Sequence, residues 1–343
     1  MLNKIKRMIS YFTIDDLAID MTSGNTVIYK MNEGMKINEP SLVAVDETDN
    51  CLYVGKEANN VRGKTPRGVR VIEPITNGVI AEPEYCEKML QYFLRDIYSR
   101  KNMLRLYPNI LVVTPNEATT AETKVYEESL EAAGCKSVSL ISSLVAGAYG
   151  AGIDIESCNA SIICNISSTY TEVGILSMRK VHSKARVNVG YDDFANAVAQ
   201  FVKKDTEYSI GERAAEQALD HLGCAVYYND KDQGEFVTVT GTIKRTPTPV
   251  EITLTKLNVH EAIAPCVDAI INCIFEVMEE ARDDMASDLI QNGITVVGSG
   301  ASLDRLAEAI NLSTGIKTKV AQNAQTCLAE GAAIFMSKLS KKK

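Results

Sequence analysis

Two hairpin-like stretches carry the residues that could do chemistry. The first, 17-LAIDMTSGNTVIYK-30, reads as a strand that ends on Asp20, a turn of small polar residues, and a second strand. The second, 161-SIICNISSTYTEVGIL-176, repeats this layout with Asn165 at the end of its first strand. Asn165 follows Asp20 by 145 positions (165 − 20), and a threonine lies six positions after each. The matched spacing predicts a duplicated hairpin with a carboxylate in one copy and an amide in the other.

Tight turns beside strand ends are suited to binding phosphate. Backbone N–H groups that converge from a turn, and the positive end of a helix, both hold phosphate oxygens. A carboxylate beside such a turn binds Mg²⁺ through its waters, and Asp20 is the candidate. A third turn follows an apolar strand and precedes a helical pattern. The predicted phosphate-binding residues are Thr22, Ser23, Gly24 and Asn25 in the first turn, Ser167, Ser168 and Thr169 in the second, and Gly298, Ser299 and Gly300 in the third.

Length and composition predict a globular protein of two domains. The chain has 343 residues, of which 45% are hydrophobic and 23% charged, and this fits a soluble protein with a sizeable core. A formal net charge of −8 argues against a nucleic-acid-binding protein. The nine cysteines include no CxxC pair, so we expect buried thiols in a reducing cytosol. The three histidines, His182, His221 and His260, are too far apart in sequence to suggest a metal site.

Alternation of strand-like and helix-like segments predicts an α/β fold with largely covered sheets. Strands are expected at 17–30, 40–45, 52–55, 69–72, 109–115, 136–142, 161–176 and 294–297, with a β-hairpin over 235–257. Helices are expected at 84–100, 118–133, 143–152, 190–205, 211–223, 260–282 and after 300. No apolar run reaches the ~18 residues of a membrane span.

The N-terminus has a short basic amphipathic pattern. Leu2, Ile5 and Ile9 recur at helical spacing, with lysine and arginine elsewhere around the helix. Such a helix can lie on an anionic membrane surface. The alternative is a terminus that docks on its own domain.

The repeated turns resemble those of the actin/hexokinase/heat-shock-chaperone ATPase superfamily, and the chain is most similar to MreB-type bacterial actin homologues. The stretches that carry the resemblance are 17-LAIDMTSGNTVIY-29, 38-NEPSLVAV-45, 72-IEPITNGVIAE-82, 110-ILVVTP-115, 141-ISSLVAGAYGAG-152, 161-SIICNISSTYTEV-173, 188-NVGYDDFANAV-198, 210-IGERAAEQAL-219 and 296-VVGSGASL-303.

The resemblance implies an actin-like fold, with two domains that each have a central mixed sheet flanked by helices and a nucleotide cleft between them. The implied subdomains are IA (1–33, 76–147 and 322–343), IB (34–75), IIA (148–186 and 258–321) and IIB (187–257). ATP or ADP with Mg²⁺ is the implied ligand, bound weakly if at all.

The resemblance also implies partners and a location. Subunits of this kind form protofilaments with themselves, and an intact MreB paralogue and a RodZ-like shape complex are further implied partners. The implied location is cytoplasmic, peripheral at the inner membrane surface. Met103 and Leu104 match the apolar membrane loop of the family, although core packing would explain them equally well.

The departures from the family pattern lie at the residues that split ATP. Ser143 stands where the family has a glutamate that positions the attacking water, and Asn165 stands where it has an aspartate. A serine hydroxyl cannot act as a carboxylate base at neutral pH. The three glycines of the second turn in the family are replaced by Ser167, Ser168 and Thr169, and Tyr170 adds bulk where the family has a hydroxyl residue. Near the expected adenosine site Glu216 matches, but a leucine at 219 replaces a lysine.

These departures predict no intact catalytic residue and a pseudo-ATPase. The leading hypothesis is therefore a cytoskeletal protein that assembles into, or modulates, membrane-associated filaments for cell shape, with ATP hydrolysis weak or lost. The alternative is an active ATPase of MreB type with nucleotide-driven polymerisation. A small-molecule kinase of the same superfamily stays open, although no acidic base for it stands out.

Overall fold

The computed structural model describes residues 16–22, 24–98, 108–205, 207–244 and 246–341. Its strands are β1 (Asp16–Asp20), β2 (Asn25–Lys30), β3 (Gly34–Pro40), β4 (Val43–Val45), β5 (Cys51–Val54), β6 (Arg70–Ile72), β7 (Ile75–Thr76), β8 (Val79–Ile80), β9 (Asn109–Thr114), β10 (Ser137–Ser142), β11 (Ser161–Ile166), β12 (Thr171–Ser177), β13 (Lys180–Val187), β14 (Tyr208–Ile210), β15 (Phe236–Ile243), β16 (Thr246–Thr255), β17 (Ile294–Val297) and β18 (Thr318–Val320).

The α-helices fall between these strands in the order that an α/β fold requires. They are α1 (Lys56–Val61), α2 (Pro83–Ile97), α3 (Thr120–Ala132), α4 (Ser143–Gly150), α5 (Tyr191–Asp205), α6 (Glu212–Leu222), α7 (Asn229–Asp232), α8 (Lys256–Glu279), α9 (Ala286–Asn292), α10 (Leu306–Thr314) and α11 (Cys327–Lys341). Short 3₁₀ turns cover Asp283–Met285 and Ser299–Ser302.

The chain folds into two compact units. Unit 1 comprises Met1–Gly150 and Leu328–Lys343, and unit 2 comprises Ala151–Cys327. The predicted α/β architecture with two domains is confirmed. The further division into four subdomains stays a prediction.

Unit 1 is built on a five-stranded mixed sheet with the order β10-β9-β1-β2-β3. β1 lies at the centre, antiparallel to β2 and parallel to β9. Leu17 and Ile19 of β1 are fully buried against apolar residues of α2 such as Met89 and Phe93. The helical spacing that predicted α2 therefore marks its core face, and Asp20 is left at the carboxyl end of a buried strand.

Unit 2 repeats this sheet, with the order β13-β12-β11-β17-β18. β11 is antiparallel to β12 and parallel to β17, as β1 is to β2 and β9. Asn165 is the penultimate residue of β11 and lies opposite Glu172 of β12. The duplicated hairpin predicted from sequence spacing is confirmed, and Asn165 occupies in unit 2 the place of Asp20 in unit 1.

The long helix α8 covers one face of the sheet of unit 2. It begins four residues before the predicted start because Thr255 and Asn258 form a capping box, in which the Asn258 N–H donates to Thr255 Oγ1 at 3.2 Å. Its apolar face packs into the core of unit 2. The fully or nearly fully buried residues on that face include Ile263, Val267, Ile270, Ile271 and Ile274.

Two smaller sheets complete the architecture. β5, β4 and β6 form one in unit 1, and β14, β15 and β16 form the other in unit 2. The β15–β16 pair is the hairpin predicted over 235–257.

None of the helices in the described ranges combines the length and apolarity that crossing a bilayer requires.

Candidate functional site

The first turn, in unit 1, holds a buried carboxylate. Asp20 is fully buried, and its Oδ1 accepts hydrogen bonds from the Thr22 backbone N–H at 2.8 Å and the Thr22 hydroxyl at 2.7 Å. The Ser41 N–H donates to the Gly24 carbonyl at 2.9 Å, and Asn25 Nδ2 donates to Asn38 at 2.8 Å. The turn is thus tied to the start of β4, and its carboxylate can accept hydrogen bonds from the water shell of a cation. Ser23 lies outside the described residues.

The position before the second turn, in unit 2, holds a buried amide. Asn165 is fully buried, and neither its Oδ1 nor its Nδ2 has a hydrogen-bond partner among the described residues. Buried polar side chains are nearly always paired, so an amide with both polar atoms unpaired is unusual. Its oxygen can accept two hydrogen bonds and its NH₂ group can donate two, and the side chain carries no charge.

The second turn is held by the start of helix α5. The Tyr191 and Asp192 N–H groups donate to the Ser167 and Ser168 carbonyls at 3.0 and 2.8 Å. Gly190 makes this approach possible, because a Cβ there would lie 2.4 Å from the Ser168 carbonyl oxygen. Ser168 and Thr169 remain partly exposed, as a ligand-binding turn requires.

Tyr170 is the last residue of the second turn, and its backbone pairs with the first. The Ser167 N–H donates to its carbonyl at 2.8 Å, and its side chain is fully buried. The Arg186 guanidinium lies 4.0 Å from the centroid of its ring. The bulk that replaces a small hydroxyl residue of the family is therefore in the core.

The third turn packs directly on the end of β11. Gly298 has φ 92° and ψ 177°, and a Cβ there would lie 2.3 Å from the Ile166 carbonyl oxygen and 2.7 Å from Asn165 Oδ1. The hydroxyl of Ser299 is shielded from solvent and has no partner among the described residues. Unit 2 thus brings Asn165, Gly298 and Ser299 together. The turn leads first into the 3₁₀ segment, and α10 begins only at Leu306.

The remaining predicted site residues include one buried residue, one exposed residue and several that lie outside the described ranges. Ser143 is fully buried as the first residue of α4, immediately after β10. Glu216 is exposed on α6, whereas Leu219, at the family lysine position, is 4% exposed and belongs to the core of unit 2. Leu2, Ile5, Ile9, Met103 and Leu104 lie outside the described residues.

A buried charge network in unit 2 was not predicted. The carboxylate of Asp232 accepts from Arg305 Nη2 at 2.9 Å and from the Tyr228 N–H at 2.8 Å, and Lys256 Nζ lies 3.1 Å away. The hydrogen bond from Arg305 is the largest cause that lowers the pKa of Asp232. The network joins α7 to the starts of α8 and α10. No sequence signal could have found it, because 73 residues separate Asp232 from Arg305.

The donor set suits a polar ligand better than a bare metal. In the described ranges, no three His, Cys, Asp or Glu side chains gather as a metal site. The second and third turns, in unit 2, instead offer the hydroxyls of Ser168, Thr169 and Ser299 and the unpaired amide of Asn165, donors that suit the phosphate oxygens of a nucleotide. Asp20 fits a hydrated Mg²⁺, but Asn165 supplies no charge to one.

Comparison with known sequences gives a consistent result along nearly the whole chain. The family model described as MreB/Mbl protein matches residues 14–343. The cell shape-determining protein MreB of Escherichia coli (strain K12) is 32% identical over 336 residues, covering 96% of this chain and 94% of that protein. The cell shape-determining protein Mbl of Bacillus subtilis (strain 168) is 29% identical over 329 residues, covering 95% and 97%.

Comparison with solved structures gives the fold. MreB5 of Spiroplasma citri bound to AMPPNP matches with a TM-score of 0.89 at 24% identity, covering 96% of this chain and 98% of that one. A subunit of the MamK double helical filament matches with a TM-score of 0.76 at 13% identity, covering 95% and 99%. The actin-like fold predicted from the sequence is confirmed.

Proposed function

Because the chain belongs to the MreB/Mbl family and has an actin-like fold, we propose that it is a cytoskeletal subunit that binds adenine nucleotide and assembles into cell-shape filaments with little or no ATP hydrolysis. The proposal of little or no ATP hydrolysis rests on Asn165, which is uncharged and fully buried at the end of β11.

Nucleotide binding is supported by the three turns. The first ends on a buried carboxylate, the second is braced by α5, and the third contacts Asn165 at the end of β11. The solved MreB5 structures are bound to AMPPNP and to ADP, which are adenine nucleotides. We assign the same ligand class to this chain, with Thr22, Gly24, Ser168, Thr169 and Ser299 near its phosphates.

Weak hydrolysis is supported by the chemistry of two positions. Ser143 has a hydroxyl that stays protonated at neutral pH, so it cannot take a proton from water as a carboxylate does. Asn165 adds no negative charge beside the phosphates. General-base catalysis contributes about 10²–10⁴-fold to a rate, so its loss alone would slow turnover by that factor.

Filament formation is supported by the family and by the fold. MamK, which shares the fold, forms a double helical filament. A subunit that hydrolyses nucleotide slowly spends more time in one conformational state. It would therefore polymerise persistently, alone or with an intact MreB paralogue, at the inner membrane surface and with a RodZ-like shape complex.

Phosphate release tests the hydrolysis claim. We expect the wild-type protein with Mg²⁺-ATP to release phosphate near background, and the double variant Ser143→Glu/Asn165→Asp to be about 10²-fold faster. Ser139→Glu on the exposed side of β10 is the matched control and should leave the rate unchanged. Wild-type turnover equal to that of an intact MreB would refute the claim and favour the active ATPase.

Negative-stain microscopy tests assembly. The purified protein is imaged without nucleotide, with ADP and with ATP. Ordered filaments in all three conditions are the expected result. Filaments with ATP alone would indicate a working nucleotide switch, and no filaments in any condition would contradict the proposed assembly.

A further inference from the structure

Three buried polar atoms around Gly298 lack partners among the residues that the structure describes. They are Oδ1 and Nδ2 of Asn165 and Oγ of Ser299. Gly298 lies between them in sequence and space, since it precedes Ser299 and a Cβ on it would be 2.7 Å from Asn165 Oδ1. Leaving such groups unpaired costs free energy in the unliganded protein, so they mark a place where a polar ligand binds.

The hydrogen-bonding character of these atoms selects the ligand. Asn165 Nδ2 and the Ser299 hydroxyl are donors, and the oxygens of a phosphate are acceptors only. The water shell of Mg²⁺ presents hydrogens outward, so it could satisfy Asn165 Oδ1 but never Nδ2. A neutral amide also offers no charge to balance a divalent cation.

The neighbouring charges do not restore a cation site at this strand end. Glu172 lies opposite Asn165 on β12 and is almost fully buried. Its neighbour on the other side, across the β12–β13 ladder, is Arg186. Residues paired directly across neighbouring strands lie on the same face of the sheet, so this carboxylate has a guanidinium as its cross-strand neighbour and is not an unpartnered anion.

We propose that Asn165 donates a hydrogen bond from Nδ2 directly to a phosphate oxygen, assisted by Ser299, and that nucleotide binding therefore depends little on the divalent cation that Asp20 could hold through its waters. The inference rests on the nucleotide binding proposed above. It adds that the amide does by hydrogen bonding what a bridging cation does beside a carboxylate.

Calorimetric titration with ADP tests the inference on the full-length protein, in Mg²⁺ and again in EDTA. We expect the wild-type dissociation constant to differ less than about threefold between the two buffers. Asn165→Asp should bind at least about tenfold more weakly in EDTA and recover in Mg²⁺, because its carboxylate repels phosphate unless a cation intervenes. Asn159→Asp, an exposed site before β11, is the matched control and should behave as wild type.

Further measurements keep the inference falsifiable if Asn165→Asp fails to fold. Ser299→Ala should weaken ADP binding by the same factor in both buffers, since it removes a donor and no cation ligand. Inorganic pyrophosphate should compete with ADP in EDTA; competition by adenosine and none by pyrophosphate would place the amide away from phosphate and overturn the inference. Wild-type binding at least tenfold weaker in EDTA would overturn it while leaving nucleotide binding intact. Absence of ADP binding in both buffers would overturn both proposals.

Discussion

Replacement of Gly298 by alanine should destabilise unit 2 more than the same replacement at Gly315. Both glycines have positive φ, 92° and 71°, and both follow a secondary-structure element of unit 2. They differ in their surroundings. A Cβ on Gly298 would lie 2.3 Å from the Ile166 carbonyl oxygen, whereas a Cβ on Gly315 would meet nothing within 4 Å.

The magnitude follows from two terms. The backbone of Gly298, at φ 92° and ψ 177°, lies in a region that is almost restricted to glycine, and a side chain there costs about 1–3 kcal/mol. Crowding against a backbone oxygen of a central strand costs about 1–3 kcal/mol more. Gly315, in the ordinary left-handed region, incurs only about 1–2 kcal/mol. From the middle of each range, about 4 and about 1.5 kcal/mol, the two variants should differ by about 2.5 kcal/mol in free energy of unfolding.

Urea unfolding followed by circular dichroism measures this difference on the full-length protein. Hydrogen exchange of peptides from β11 and β17 localises it, because protection there reports the opening of the crowded strands. Gly298→Ala should also weaken ADP binding, since the displaced turn lies against Asn165. Equal stability of the two variants would show that the third turn does not press on β11, and the geometry of the site would then be wrong.

Further predictions concern the amide, the charge network, a helix cap and the thiols. Asn165→Leu removes unpaired buried polar atoms, so without nucleotide it should raise the free energy of unfolding by about 1–3 kcal/mol. The same variant should not bind ADP. A lower stability than wild type in urea unfolding would contradict this prediction. The pKa of Asp232 is lower in the folded protein than in the unfolded chain, where an aspartate titrates near pH 4. Its ionised carboxylate therefore stabilises the fold above about pH 4, and this contribution is lost as the pH falls through the folded pKa. Asp232→Asn should therefore flatten the acid limb of a stability-versus-pH curve, and an unchanged limb would exclude the network as its cause. Thr119→Ala removes the cap of α3 and should cost unit 1 about 0.5–2 kcal/mol by urea unfolding. Burial raises the pKa of Cys86 to about 12, so Ellman's reagent should label exposed Cys158 in the native state and Cys86 only after unfolding.

The parts of the fold that the sequence predicted are those with a strong apolar pattern. The strands β1, β9 and β11 are continuous apolar runs because residues on both faces of each strand are buried. The apolar residues of α2 and α8 recur every 3.6 residues because one face of each helix packs on the core. The duplicated hairpin was visible because its turn residues recur at a fixed interval. The edge strands β3 and β18 were not predicted, since they are largely polar and their pairing depends on a neighbour distant in sequence.

The candidate site was predicted as a set of turns but not as a geometry. The repeated turns in the sequence indicated Asn165 and Gly298. The family resemblance showed that Asn165 stands where an aspartate is expected. That the amide has no partner among the described residues, and that Gly298 lies against it, are tertiary facts with no local signature. The network of Asp232 and Arg305 was missed for the same reason.

The junction of the second turn with α5 has a mechanical consequence. Two backbone hydrogen bonds join the turn to the helix, and Gly190, which has no side chain, lets the two backbones contact each other directly. α5 has 15 residues, about 22 Å of stiff rod, and packs along α6 and α8. A ligand that displaces the turn by a fraction of an ångström must carry the near end of this rod with it. Because the helix is stiff, the same displacement would also move its C-terminal end, about 22 Å from the turn.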